Sequence, residues 1–90
     1  MSATLIVRHS VTDYAAWRAV YDSVGPLQAK HGVTSSQVLQ LPGDANDVTV
    51  VHNFATVAQA EGLANDPELK SAMQQGGVAG PPRIEIFVGV

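Results

Sequence analysis

The sequence predicts a small α+β domain, two strand-helix-strand units on a single antiparallel sheet, and three observations predict it. β-Branched and apolar residues alternate over residues 4–10, 33–41, 48–54 and 83–88, one helical stripe separates the first two runs, and a second separates the last two. The order β, α, β, β, α, β is the split βαβ arrangement. Right-handed crossovers then put the first and third strands at the centre of a four-stranded antiparallel sheet, with both helices on one face.

In the first strand Leu5, Val7 and His9 share one face, and Thr4, Ile6 and Arg8 the other. Asp13 is the N-cap of the first helix, where Tyr14, Trp17, Val20, Tyr21, Val24 and Leu27 keep the spacing of one stripe. Gly25-Pro26 predicts a kink or restart, because proline lacks a backbone donor and crowds the preceding turn. Gly32 is the left-handed stop, with Lys30 and His31 at the negative helix end. Val33 to Leu41 reads as the second strand, and the turn cluster Pro42 to Asp47 joins it in a hairpin to a third, Val48 to Phe54.

Thr56 and Gln59 have the spacing of a capping box, which opens a second helix bearing Val57, Ala60, Leu63 and Ala64. Asp66-Pro67 restarts that helix, which carries Leu69, Ala72 and Met73 as far as Gly76-Gly77. A loop through Gly80-Pro81-Pro82 leads to the last strand, Arg83 to Val88, with Ile84, Ile86 and Val88 on one side and Arg83, Glu85 and Phe87 on the other.

The 90 residues, 1–90, read as one domain with no linker, repeat or low-complexity tract. Hydrophobic residues make up 46% of the chain and charged residues only 14%, more apolar side chains than one thin core hides. The sheet face away from the helices carries Ile6, Val51 and Phe87 among polar residues, so a second copy covering it, a homodimer, accounts for the excess. The net charge of −3, with Lys and Arg scattered singly, argues against nucleic acid or an anionic membrane surface as partner. The absence of cysteine excludes disulfides, thiolate nucleophiles and sulfur-ligated metals. The stretch Met1 to Arg8 lacks the pattern of a signal peptide and no apolar run approaches the ~18 residues of a membrane span, so the expected location is the cytoplasm.

His9 and His52 occupy the helix-facing phase of neighbouring strands but near opposite ends, roughly 13 Å apart at ~3.3 Å per residue, too far for one metal. His31 can approach His52, yet two imidazoles without an adjacent carboxylate make a poor zinc set, and no metal site is expected. Each half-buried histidine reads either as a satisfied core residue or as a polar group lining a cleft. His9 is the candidate proton carrier, because Tyr14 and Trp17 of the first helix and Met73 of the second can close an aromatic pocket around it. The stripe Tyr14, Trp17 and Tyr21 reads as plain core or as a ligand box, and Arg8, Arg83 and Glu85 as ion pairs at the dimer face. No phosphate loop, nucleophile elbow or close carboxylate pair is found.

The segments Arg8 to Tyr14 with Trp17 and Tyr21, Asp66 to Met73, Gly76-Gly77-Val78 and Pro82 to Glu85 together resemble the dimeric α/β barrel superfamily. The likeness runs over nearly the whole chain and is closest to small members labelled cyclase-like or antibiotic biosynthesis monooxygenase-like. It implies two ferredoxin-like protomers packed sheet to sheet, with ligands in a cleft between helices and sheet. Members include cofactor-free monooxygenases of aromatic polyketides, polyketide cyclases, lactone isomerases and haem-degrading enzymes, so the site carries the function. The haem-degrading members place an Asn on the first strand, a Trp on the third and a His on the second helix. This chain has no Trp on its third strand and no His on its second helix, so haem is not expected.

Two readings of function follow, neither calling for a cofactor. The first is a small-molecule-binding protein with an apolar or aromatic ligand held by Tyr14, Trp17, Tyr21, His52 and Met73. The second, which the resemblance implies, is a cofactor-independent monooxygenase or cyclase-like enzyme with His9 as catalytic group.

Overall fold

The computed structural model describes residues 2–90; Met1, part of the N-terminal stretch read above, lies outside them. The chain runs β1 (Ala3–Val11), α1 (Tyr14–Ser23), α2 (Gly25–Lys30), β2 (Ser35–Leu41), β3 (Asp44–Phe54), α3 (Val57–Ala64), α4 (Pro67–Gln75) and β4 (Val78–Val88). The strands form one antiparallel sheet in the order β2-β3-β1-β4, so β1 and β3 are central as the crossover rule requires.

Local chemistry sets the helix ends. Asp13 Oδ1 accepts from Ala15 N–H at 3.1 Å, and Asn46, from the start of β3, accepts the neighbouring Tyr14 N–H at 3.0 Å. The first helix breaks at Val24 and restarts as α2 with Pro26 in its first turn, where the missing donor costs nothing. Both capping-box bonds are formed, Thr56 Oγ1 accepting from Gln59 N–H at 3.2 Å and Gln59 Oε1 from Thr56 N–H at 3.3 Å. Asp66 caps α4 by accepting from Glu68 N–H at 2.9 Å.

Three boundaries differ from the sequence reading, each for a physical reason. β2 begins at Ser35 and not Val33, because Val33 N–H turns back to Gln28 O at 3.1 Å and closes the end of α2. β3 begins at Asp44 and not Val48, since the turn is Pro42-Gly43 alone, with Gly43 at φ +87°, and a bulge at Gln40/Leu41 absorbs the register. Gly80-Pro81-Pro82 is not a loop but part of β4. Its register with β1 passes from Arg8↔Arg83 to Ser10↔Ala79, so two steps along β1 correspond to four along β4, and the strand bulges beside His9. The edge position of β4 tolerates prolines that a central strand would reject.

The helix-facing side of the sheet packs into two clusters. Ala3, Leu5, Val7, Leu27, Phe54, Ala60 and Leu63 form one; Val11, Trp17, Val48 and Val50 form the other. Phe54, Leu5, Leu63 and Val48 are completely buried, at about 1.5–3 kcal/mol each relative to exposure. Ile84 and Val88 share the helix-facing phase but stay exposed, because they sit on the edge strand.

The opposite face is bare within one chain. Its rows run Phe87, Thr4, Asn53, Ser35 and Glu85, Ile6, Val51, Gln37 across the four strands. Thr4 Oγ1 donates to Asn53 Oδ1 at 2.8 Å and Asn53 Nδ2 to Ser35 Oγ at 2.9 Å, tying three strands by side chains alone. The charges on this face pair internally, Arg8 with Asp47 at 2.8 Å and Arg83 with Glu85 at 3.0 Å. Ile6 and Val51 lie half-buried at the centre, while Phe87 and Leu39 are 52% and 43% exposed.

Candidate functional site

The seam between the two core clusters is not filled. A cleft of about 40 Å³ lies there, floored by Leu5, Val7, His9, Val50 and His52 of the sheet and roofed by Trp17, Val20, Tyr21 and Val24 of α1/α2 with Leu69, Ala72 and Met73 of α4. Val24 belongs to the junction of α1 and α2, so the restart at Gly25-Pro26 helps shape the roof. By volume the cleft has room for about three water molecules.

The floor positions follow from register. His9 lies opposite Val48 and His52 opposite Leu5, so the two imidazoles are four residues apart along the ladder. Above them α1 lays a row of rings from one to the other. His9 meets Trp17 edge-on at 5.5 Å, Trp17 stacks on Tyr21 at 5.1 Å, and Tyr21 lies parallel to His52 at 6.0 Å and 5°. Arg18 sits 5.5 Å from the Tyr21 ring centre and donates to Tyr14 Oη at 3.3 Å.

Both histidines are more than nine-tenths buried, and Nδ1 of each has no hydrogen-bond partner. Burial pushes the His52 pKa down to about 4 and the His9 pKa in the same direction, so both rings are neutral at pH 7. His52 Nε2 lies 3.0 Å from Tyr21 Oη. An unpaired buried lone pair is better tolerated than an unpaired buried N–H, which puts the His52 proton on Nε2, donating to Tyr21. The Tyr21 hydroxyl then keeps its own proton for another acceptor, and among the described residues it has no second partner. The cleft is therefore an apolar slot with a hydroxyl donor near one end and a neutral imidazole near the other.

No family model matches the chain. No curated protein matches it in sequence either. Solved structures do. The cofactor-independent oxygenase SnoaB of Streptomyces nogalater superposes with a TM-score of 0.80 at 12% identity, over 99% of this chain and 93% of that one. A provisionally named antibiotic biosynthesis monooxygenase of Bordetella bronchiseptica gives 0.81 at 16% identity, over 99% and 97%. NE2512 of Nitrosomonas europaea, a protein of unknown function, gives 0.74 at 23% identity, over 96% and 86%. The chain has the ferredoxin-like fold of the antibiotic biosynthesis monooxygenases. Identities this low establish the fold alone, and the residues of the site must speak for the chemistry.

Within this fold the cleft gathers most of the residues singled out from sequence. His9, Trp17, Tyr21, His52 and Met73 all line it. Tyr14 does not; it packs with the Val11–Trp17 cluster outside the cleft, and its hydroxyl accepts from Arg18. His31 does not approach His52. Its Nε2 sits 2.7 Å from Asp66 Oδ2, with Lys30 3.8 Å from the same oxygen, so the end of α2 clasps the start of α4. That contact, chiefly the hydrogen bond from His31, lowers the Asp66 pKa. Val20, Leu69 and Ala72 line the roof without having been singled out as ligand contacts, since spacing marks them as apolar without saying which apolar residues border a void. Among the described residues no three His, Asp or Glu side chains converge on a point where a metal ion could bind.

Proposed function

We propose that this protein binds a small apolar or aromatic molecule in the cleft between α1, α4 and the sheet, working as a homodimer. The observation that carries the reading is two buried polar atoms without partners in an otherwise apolar slot, Nδ1 of His9 and of His52, beside the spare proton of the half-buried Tyr21. Structural polar groups are normally satisfied; these await an acceptor and a donor from a guest. The bare sheet face, with Phe87 and Leu39 exposed around Ile6 and Val51, supports pairing through that surface. Trp17 is the single tryptophan and lines the cleft, so its fluorescence reports occupancy. Titration with 1-naphthol should give a saturable change, weakened about tenfold in Tyr21→Phe by the lost hydrogen bond. A response that never saturates up to the solubility limit overturns the proposal.

A second reading is favoured by His9, a buried neutral imidazole within 5.5 Å of the Trp17 ring centre on the cleft floor. In it His9 accepts the proton of a bound phenol, the electron-rich ring carbon bonds to dioxygen, and the O–O bond breaks as that carbon loses its hydrogen; the ring is oxidised to a quinone, and the distal oxygen leaves as water with that hydrogen and the proton returned by His9. The solved oxygenase SnoaB, described as cofactor-independent, shares the fold. Dioxygen uptake with a phenolic substrate should vanish in His9→Ala, whereas naphthol affinity should fall only about tenfold, the loss of one hydrogen bond. Uptake unchanged by that substitution removes His9 from the chemistry.

A further inference from the structure

The cleft is too small for the guest that its chemistry suits, and its surroundings show where the remainder of such a guest fits. About 40 Å³ accepts a few waters, not a ring system. On the far side of α4 lies a groove of about 320 Å³, walled mainly by Ala64, Val78, Gly80, Pro82 and Ile84, with the stem of Lys70 at its rim. One side chain, Met73, lines both spaces.

The wall between them is weak at that point. Met73 is half-buried, α4 contributes no fully buried residue, and a thioether chain with three rotatable bonds repacks at low cost. Gly80 and Pro82 of the bulged segment of β4 line the groove, and Gly80 at φ +74° presents no side chain to it. Ile84 faces the groove 39% exposed and lies in register with Val7 of the cleft floor, so the apolar lining continues from one space into the other.

We infer that Met73 is the partition that sets ligand length. The guest is an aromatic head that enters the cleft as Met73 swings out of it, hydrogen-bonded at Tyr21, with an apolar tail that passes the displaced Met73 and runs along the groove between α4 and β4. This rests on the binding reading above and adds the class of ligand: an aryl compound carrying an unbranched alkyl arm.

The test is a chain-length series of 4-alkylphenols, ethyl to nonyl, followed by Trp17 fluorescence in the wild type, Met73→Ala and Met73→Phe. In the wild type affinity should rise with each added carbon, about fourfold per fully buried methylene. Met73→Ala should steepen the gain for the longer members, and Met73→Phe should cut it off at the shortest ones. Parallel length profiles in all three proteins overturn the partition while leaving the cleft intact. Absence of saturable binding by any phenol to any of the three overturns the binding reading itself. Should Met73→Ala fail to fold, Met73→Phe against wild type decides the matter alone.

Discussion

Tyr21 and His52 stack in parallel, 6.0 Å between ring centres, and share a hydrogen bond of 3.0 Å, although 31 residues separate them. The pair fixes the end of the cleft, ties α1 to β3, and leaves the imidazole with one satisfied nitrogen. Tyr21→Phe keeps the stacking and strands that nitrogen, Nε2, as well. The expected loss is about 1–3 kcal/mol, read as a lower urea midpoint at unchanged slope.

Acid should unfold this protein earlier than its carboxylates alone require. The folded His52 titrates at about 4, below the 6.5 of a free imidazole, so the unfolded state binds the proton more readily. Stability is fully present above pH 6.5 and is lost as the pH falls towards 4. From pH 7 to 4.5 the loss from this one group is about 2–3 kcal/mol, and His9, shifted in the same direction, adds to it. Urea melts at the two pH values check the prediction, and His52→Phe should flatten the dependence.

The turn after α4 tests a tight backbone approach. Gly77 has φ +77°, and a Cβ there would lie 2.7 Å from Thr12 Oγ1; Gly43 has φ +87° but open space around it. Gly43→Ala should therefore cost only the left-handed backbone strain, about 1–2 kcal/mol. Gly77→Ala adds a clash beside the Thr12 N–H to Gly77 O bond of 3.1 Å and should cost clearly more in the same thermal melt.

Pairing through the bare sheet face is open to a direct measurement. Val51 sits mid-strand on that face beside Ile6. Val51→Lys places a charge where a second sheet would pack, and sedimentation velocity should show a monomer in place of a dimer. Identical sedimentation of the two proteins would place the interface elsewhere.

What the sequence made legible was local. The capping box of Thr56 and Gln59, the caps Asp13 and Asp66, and the restart before Pro26 depend on residues within a few positions of one another, and all are formed. The strand phases put His9 and His52 on the helix-facing side, and the stripe put Trp17 and Tyr21 over them. Contacts set by tertiary packing were not legible. Nothing near His31 marks Asp66 as its partner 35 residues on, or marks Tyr21 for His52. Tyr14 keeps the stripe spacing yet falls outside the cleft, because the Asn46 and Asp13 caps hold the first turn of α1 at the end of the sheet. Pro81 and Pro82 read as loop because proline argues against a strand, and only the edge position of β4 reverses that argument.

That interrupted edge also bears on how the chain tolerates crowding with its own copies. An uninterrupted outer strand is a template on which further chains add and grow into fibres. Two consecutive residues without amide hydrogens, set in a bowed segment, deny such growth a continuous ladder along β4. Pro82, which lines the groove between α4 and β4, thus also helps guard one flank of the molecule against runaway polymerisation.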